Sequence, residues 1–152
     1  MIINKQGMLK VFKQSAITRA IAEGNAFKSR TTFTYMEVDL FLKIAKNLKE
    51  PYTDKLRAID KYVTDGNRIS DIPYLKIHRT ESISGNPTFI CVGHEGRHRA
   101  HYLKINGISK HMPVLITDSV VRWEEDGLQG ATILIQQEEG STYYRVNLGE
   151  NK

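Results

Sequence analysis

Cysteine, tryptophan, proline and long apolar runs are all scarce in this chain of 152 residues. Each scarcity excludes something. The single cysteine, Cys91, cannot form an internal disulfide, which agrees with a reducing compartment. Its neighbours Ile90 and Val92 are apolar, so it reads as a buried packing residue and not as a nucleophile. No apolar run approaches the roughly 20 residues of a membrane span. The N-terminus, with Gln6 and Gly7 among charges, lacks the apolar core of a signal peptide. These absences predict a cytoplasmic protein with no membrane partner. No internal repeat or low-complexity segment is present, and the length predicts one domain with room for a real core. What the chain does have is positive charge: 22 Lys and Arg against 17 Asp and Glu give a net +5 and a pI near 9.3. That excess favours a polyanionic or phosphorylated partner, although many basic soluble proteins bind nothing of the kind.

Periodicity lays out alternating helices and strands. Met8, Phe12, Ala16, Ala20 and Ile21 recur as one modest amphipathic helix over 8–23, ended by Gly24, with Lys10, Lys13 and Arg19 on its solvated face. After a basic link at 25–30, the β-branched and aromatic residues of 31–35 predict a strand. Val38, Phe41, Ile44 and Leu48 have the helical period, acids stand at the first turn, and Pro51 closes the segment. Thr53 is expected to cap a further helix carrying Leu56, Ile59 and Val63 and stopped near Gly66. Ile72, Tyr74, Leu75 and Ile77 mark a strand entered through Pro73, and Ser84-Gly85-Asn86-Pro87 a turn into the next strand at 89–92. A helix with Ala100 and Leu103 then ends at Gly107. Residues 112–116 are expected as a buried strand with Pro113 at its edge. A polar connection at 118–130 holds Trp123, and 131–136 with 142–148, joined through Glu138-Glu139-Gly140, form a hairpin. The pattern predicts a single domain over 1–152 of the α/β (α+β) class. It is a small mixed sheet with helices, an N-terminal helical extension over 1–30 and a C-terminal β-hairpin over 131–148.

Chemistry concentrates at Gly93-His94-Glu95-Gly96-Arg97-His98-Arg99. Residues 89–92 read as a buried strand, 93–96 as a glycine-punctuated turn and the rest as a helix. A helix start carries unpaired N–H groups and partial positive charge. Arg97 and Arg99 add two full charges there, an arrangement suited to phosphate or another anion. The plainer alternative is that the arginines brace the turn by pairing with Glu95 or Asp71, contributing about 0–1 kcal/mol at a surface. His94 and His98 read as phosphate donors, proton-transfer groups or side chains that satisfy the turn, and His101 lies on the helix flank.

The same residues carry a resemblance. Gly96-Arg97-His98-Arg99-Ala100, then Tyr102-Leu103, Asn106-Gly107-Ile108 and Met112-Pro113-Val114-Leu115-Ile116, resemble the signature of the ParB/sulfiredoxin superfamily, most clearly over 70–117. The resemblance implies that helices and sheet take that superfamily's arrangement. It also implies that Gly93, His94, Gly96, Arg97, His98 and Arg99 hold the phosphates of ATP or CTP, with Mg²⁺ as the accompanying ion. Arg30, after Lys28 and Ser29, would bring a second basic group. Glu95 would act as general base or metal-facing carboxylate, and His94 or His98 would stabilise developing charge, His98 being the one expected among the catalytic residues. Where ParB proteins usually place Glu after the glycine this chain has Arg97, and where sulfiredoxins place their catalytic cysteine it also has Arg97, so sulfinic-acid reduction is set aside. Glu95 before the glycine is closer to the Asp-Gly-His-His-Arg form of the free-serine kinases in the same superfamily. No DNA-binding helical domain of the partition-protein kind is expected in a chain this short.

A rival motif overlaps, because His94-Glu95-Gly96-Arg97-His98 spells H-E-x-x-H. A zinc site of that type needs both histidines on one helical face, which Gly96 disfavours by about 1 kcal/mol. Three functions stay open at this point. They are an NTPase or phosphotransferase, a ParB-like DNA-binding protein or nuclease, and a non-enzymatic interaction protein of viral or mobile-element type. The oligomeric state is open as well, a homodimer being one state the sequence allows.

Overall fold

The computed structural model describes residues 5–25, 31–45, 52–80, 88–118, 132–136 and 143–147. Its elements run α1 (Lys5–Leu9), α2 (Gln14–Asn25), β1 (Thr31–Glu37), α3 (Val38–Ile44), α4 (Thr53–Thr64), β2 (Tyr74–Thr80), β3 (Thr88–Glu95), α5 (Arg97–Ile105), β4 (His111–Asp118), β5 (Thr132–Gln136) and β6 (Tyr143–Asn147). The six strands form one mixed sheet in the order β1-β4-β2-β3-β5-β6. The β1/β4, β2/β3 and β5/β6 pairs are antiparallel, and β2/β4 and β3/β5 are parallel. Helices packed on a small mixed sheet are the α/β class that the periodicity predicts. Among the described residues no helix is long and apolar enough to cross a membrane.

Period-two alternation builds the centre of the sheet. Met112, Val114 and Ile116 of β4 and Leu75 and Ile77 of β2 are all fully buried; in β2 the alternating Tyr74 and Lys76 are exposed, and in β4 Leu115 is half-buried and Pro113 buried. The fully buried residues join Phe41 and Ile44 of α3 and Ala100 and Leu103 of α5 in one core. Burying one such aliphatic or aromatic side chain stabilises the fold by about 1.5–3 kcal/mol. α4 behaves differently, because none of its residues is buried and only Leu56, Ile59 and Val63 pack partly against the core.

Several expectations are corrected. The single helix over 8–23 is two, because Phe12 bridges to Ile69 and pulls the backbone out of helix: the Lys13 N–H donates to Ile69 O (2.8 Å) and Ile69 N–H to Val11 O (2.7 Å). α2 ends at Asn25, one residue past Gly24. A Cβ on Gly24 would lie 2.6 Å from Phe33 N, so the glycine lets α2 approach β1 closely. The capping position of α4 falls on Tyr52 and not on Thr53. Pro113 lies in an interior strand, yet β2 joins β4 only from Leu115 onward, so the missing N–H breaks no bond to β2. The expected features at Leu48, Pro51, 84–87, Trp123 and 138–140 lie outside the described residues.

Candidate functional site

The site grows from the end of β3. Gly93, His94 and Glu95 are not a turn; they continue the strand, pairing with Lys76, Leu75 and Tyr74 respectively. Gly96 alone makes the bend. It sits at φ 121°, ψ 8°, and a Cβ on it would come 2.5 Å from Pro73 Cβ, so backbone conformation and space both demand glycine. The chain then enters α5 at once, with Ala100 N–H donating to Gly96 O at 2.9 Å.

The two arginines that follow diverge. Arg97, only 6% exposed, points its guanidinium at the end of α3, where Nη1 donates to Ala45 O and to Leu42 O (3.3 Å). Nη2 meets His101 Nε2 at 3.3 Å. A cation on the last carbonyls of a helix satisfies acceptors that have no intrahelical donor and opposes the negative end of the dipole. Arg97 is therefore a buried cap of α3, and the expectation that it faces an anion at the surface is corrected accordingly. Arg99, at 9% exposed, donates from Nη1 to Asp71 O, while Nη2 lies 3.6 Å from Glu95 Oε1. Burial disfavours its charge, and Glu95 and Asp71 oppose that effect. Arg99 thus braces the bend, and it does so at the wall of open space.

The histidines separate in the same way. His94, on β3, is half-buried; Nε2 has no hydrogen-bond partner among the described residues, and burial, then Arg97, lowers its pKa. His98 stacks on Tyr52, centroids 5.5 Å apart at 20°, and its Nε2 accepts the Tyr52 backbone N–H at 3.1 Å. That bond requires an unprotonated Nε2, so the neutral ring carries its proton on Nδ1. Burial first, then Lys55, Arg97 and Arg99, lowers the His98 pKa in agreement. With His94 on a strand and His98 on a helix, the pair does not share a helical face, which removes the zinc reading of H-E-x-x-H. Among the described residues no three His, Cys, Asp or Glu side chains are grouped to hold a metal. Cys91 is half-buried, its thiol pushed up to about 11 by burial, and Sγ donates to Gly93 O at 3.4 Å, the behaviour of a packing residue.

Two clefts open beside Arg99. One, of about 520 Å³, lies between α4 and the start of α5 and is lined by Lys55, Ala58, Ile59, Gly96 and His98. The other, of about 600 Å³, lies between α2 and the sheet and is lined by Arg19, Glu23, Ser70, Tyr74 and Leu115. Asp71, Glu95 and Arg99 belong to both. Of the residues expected at the site, Glu95, Gly96, His98 and Arg99 come together at a concavity. Arg97 turns to α3, Gly93 and His94 line neither cleft, and Arg30 lies outside the described residues. Sequence reasoning missed Lys55 and Tyr52, since nothing in the α4 pattern sets Lys55 apart from Lys61. No protein-family model, curated protein or solved structure matches this chain.

Proposed function

We propose that this chain binds the phosphate groups of a nucleotide, ATP or CTP, in the cleft between α4 and the start of α5. The observation that carries the reading is that Lys55, His98 and Arg99 line one concavity at a helix N-terminus. By helix geometry the first amides of α5 have no intrahelical acceptor, and they add partial positive charge to that of Lys55 and Arg99. His98, with Nε2 engaged by Tyr52, offers Nδ1–H as a neutral donor. A volume of about 520 Å³ is within the range of small-ligand sites.

Asp71 and Glu95 line the same cleft and offset the two cations. Glu95 is 64% exposed on its side chain, so an arriving phosphate displaces a solvated carboxylate from Arg99 at small cost, because such pairs contribute about 0–1 kcal/mol. The donor set fits phosphate. Mg²⁺ carried by a triphosphate would face Glu95 and Asp71 and neutralise phosphate charge. If a hydroxyl or water is activated, Glu95 is the carboxylate placed to take its proton.

The test is a melting series with ATP and CTP, with and without Mg²⁺. A nucleotide at about a hundredfold over Kd should stabilise the fold by about 2.7 kcal/mol, and Arg99→Ala and Lys55→Ala should each remove most of that shift. The absence of any shift with either nucleotide overturns the reading.

A further inference from the structure

We infer that the cleft under α2 is the second half of the same binding site, and that it takes the nucleoside end of the ligand whose phosphates occupy the α4 side. The inference rests on the phosphate reading above and goes beyond it in placing sugar and base.

Its ground is that the two clefts adjoin at common lining residues. Asp71, Glu95 and Arg99 line both, so the Arg99 side chain is a shared wall around which a single bent ligand can pass. The two ends differ in chemistry. Toward α4 the distinctive groups are Lys55, His98 and the helix start, all donors. Toward α2 a single further cation, Arg19, is matched by the Glu23 carboxylate, and beside them lie Tyr74, 40% exposed, and an apolar floor that includes Ile72 and Leu115. Carboxylates accept from sugar hydroxyls and from exocyclic amino groups, whereas they repel phosphate. An exposed aromatic ring beside apolar side chains is a stacking surface for a base, worth about 1–3 kcal/mol per base where it has been measured in single strands. A ligand with a polyanionic head and a ring-bearing, hydroxyl-rich tail matches that gradient, and inorganic phosphate matches only one end of it.

Two exposed positions separate the halves, since Ala58 lines only the α4 cleft and Ser70 only the α2 cleft. Binding of ATP, CTP and inorganic tripolyphosphate is measured by calorimetry on the wild type, Ala58→Trp, Ser70→Trp and Glu23→Lys, each checked for an unchanged melting curve. Filling the phosphate end with Ala58→Trp should weaken all three probes about tenfold or more, and Ser70→Trp should weaken ATP and CTP about tenfold while leaving tripolyphosphate within about twofold. Glu23→Lys, a surface change that spares the fold if Ser70→Trp does not, should lower nucleotide affinity several-fold and leave tripolyphosphate unweakened. ATP and CTP binding unchanged in both Ser70→Trp and Glu23→Lys overturns the nucleoside placement while the phosphate site stands. So does equal loss of tripolyphosphate and nucleotide in Ser70→Trp. If wild type binds none of the three probes, the phosphate reading falls first and this inference with it.

Discussion

The two helices that flank α5 are attached to it by different physics. On the α3 side, Val38, Phe41 and Ile44 are at most 3% exposed and pack with Ala100 and Leu103 in the core, and the buried Arg97 seals the end of α3. On the α4 side no residue of the helix is fully buried; Leu56, Ile59 and Val63 pack only partly against the core, and two polar ties add to them, Tyr52 N–H to His98 Nε2 at 3.1 Å and Tyr102 Oη–H to Asp60 Oδ1 at 3.0 Å. One face of a single nine-residue helix therefore builds the fold, while the other borders open space. Neighbouring arginines divide along this line. The difference teaches that charge at a helix start does not by itself mark an anion site: what decides is which side chain is left facing a cavity after the core has closed.

Gly96→Ala should break both sides at once, because both depend on the bend. A non-glycine residue at φ 121° costs about 1–3 kcal/mol, and forcing a Cβ against Pro73 costs a similar amount, so the loss in denaturant-derived stability should be about 2–6 kcal/mol. Arg97→Ala should break the α3 side alone. It strips the donor from Leu42 O and Ala45 O and leaves a void in a buried place, a loss of about 3 kcal/mol. Nucleotide affinity per folded molecule should be unchanged, and a selective loss of binding without destabilisation would place Arg97 at the ligand after all. Tyr102→Phe tests the α4 side. Removing one hydroxyl donor to Asp60 should cost about 1 kcal/mol, and amide exchange should show the loosening in α4 more than in α3.

Much of the fold was legible because its signals are local. The continuous apolar run Met112-Pro113-Val114-Leu115-Ile116, and Leu75 and Ile77 after Pro73, are marks that a buried strand leaves in its own residues, and Met112, Val114, Ile116, Leu75 and Ile77 are all fully buried. What misled was long-range. Gly93 followed closely by Gly96 reads as a turn, yet pairing with Lys76 holds Gly93 in the strand, and only the clash of a Cβ with Pro73 shows which glycine bends the chain. The break between α1 and α2 comes from Ile69, far along the chain from Phe12. At the site, the motif located Glu95, His98 and Arg99 but could not separate Arg97 from Arg99, because the acceptors of Arg97 lie 52 and 55 residues earlier. Lys55 and Tyr52 reach the site through the packing of α4, which leaves no mark on local pattern.

The smallest expected effect is the most specific to the α4 side. The Tyr52 tie exists only while His98 Nε2 is unprotonated. Burial, Lys55, Arg97 and Arg99 lower the His98 pKa from its ordinary 6.5, so the folded state prefers the neutral ring. The unfolded chain then binds more protons between the two values. Stability from this group is accordingly complete above the ordinary histidine range and is lost as pH falls through the lowered folded value. His94, His101 and His111 are lowered as well, each chiefly by burial, so global stability alone does not isolate His98. The protection of the Tyr52 amide does. Between about pH 7.5 and about pH 5 it should fall by more than that of α3 amides, and His98→Gln, whose side-chain oxygen accepts at every pH, should flatten the profile. Equal pH profiles in wild type and His98→Gln would show that α4 is held by its half-buried apolar contacts and not by this bond, and the contrast between the two sides of α5 would narrow to burial alone.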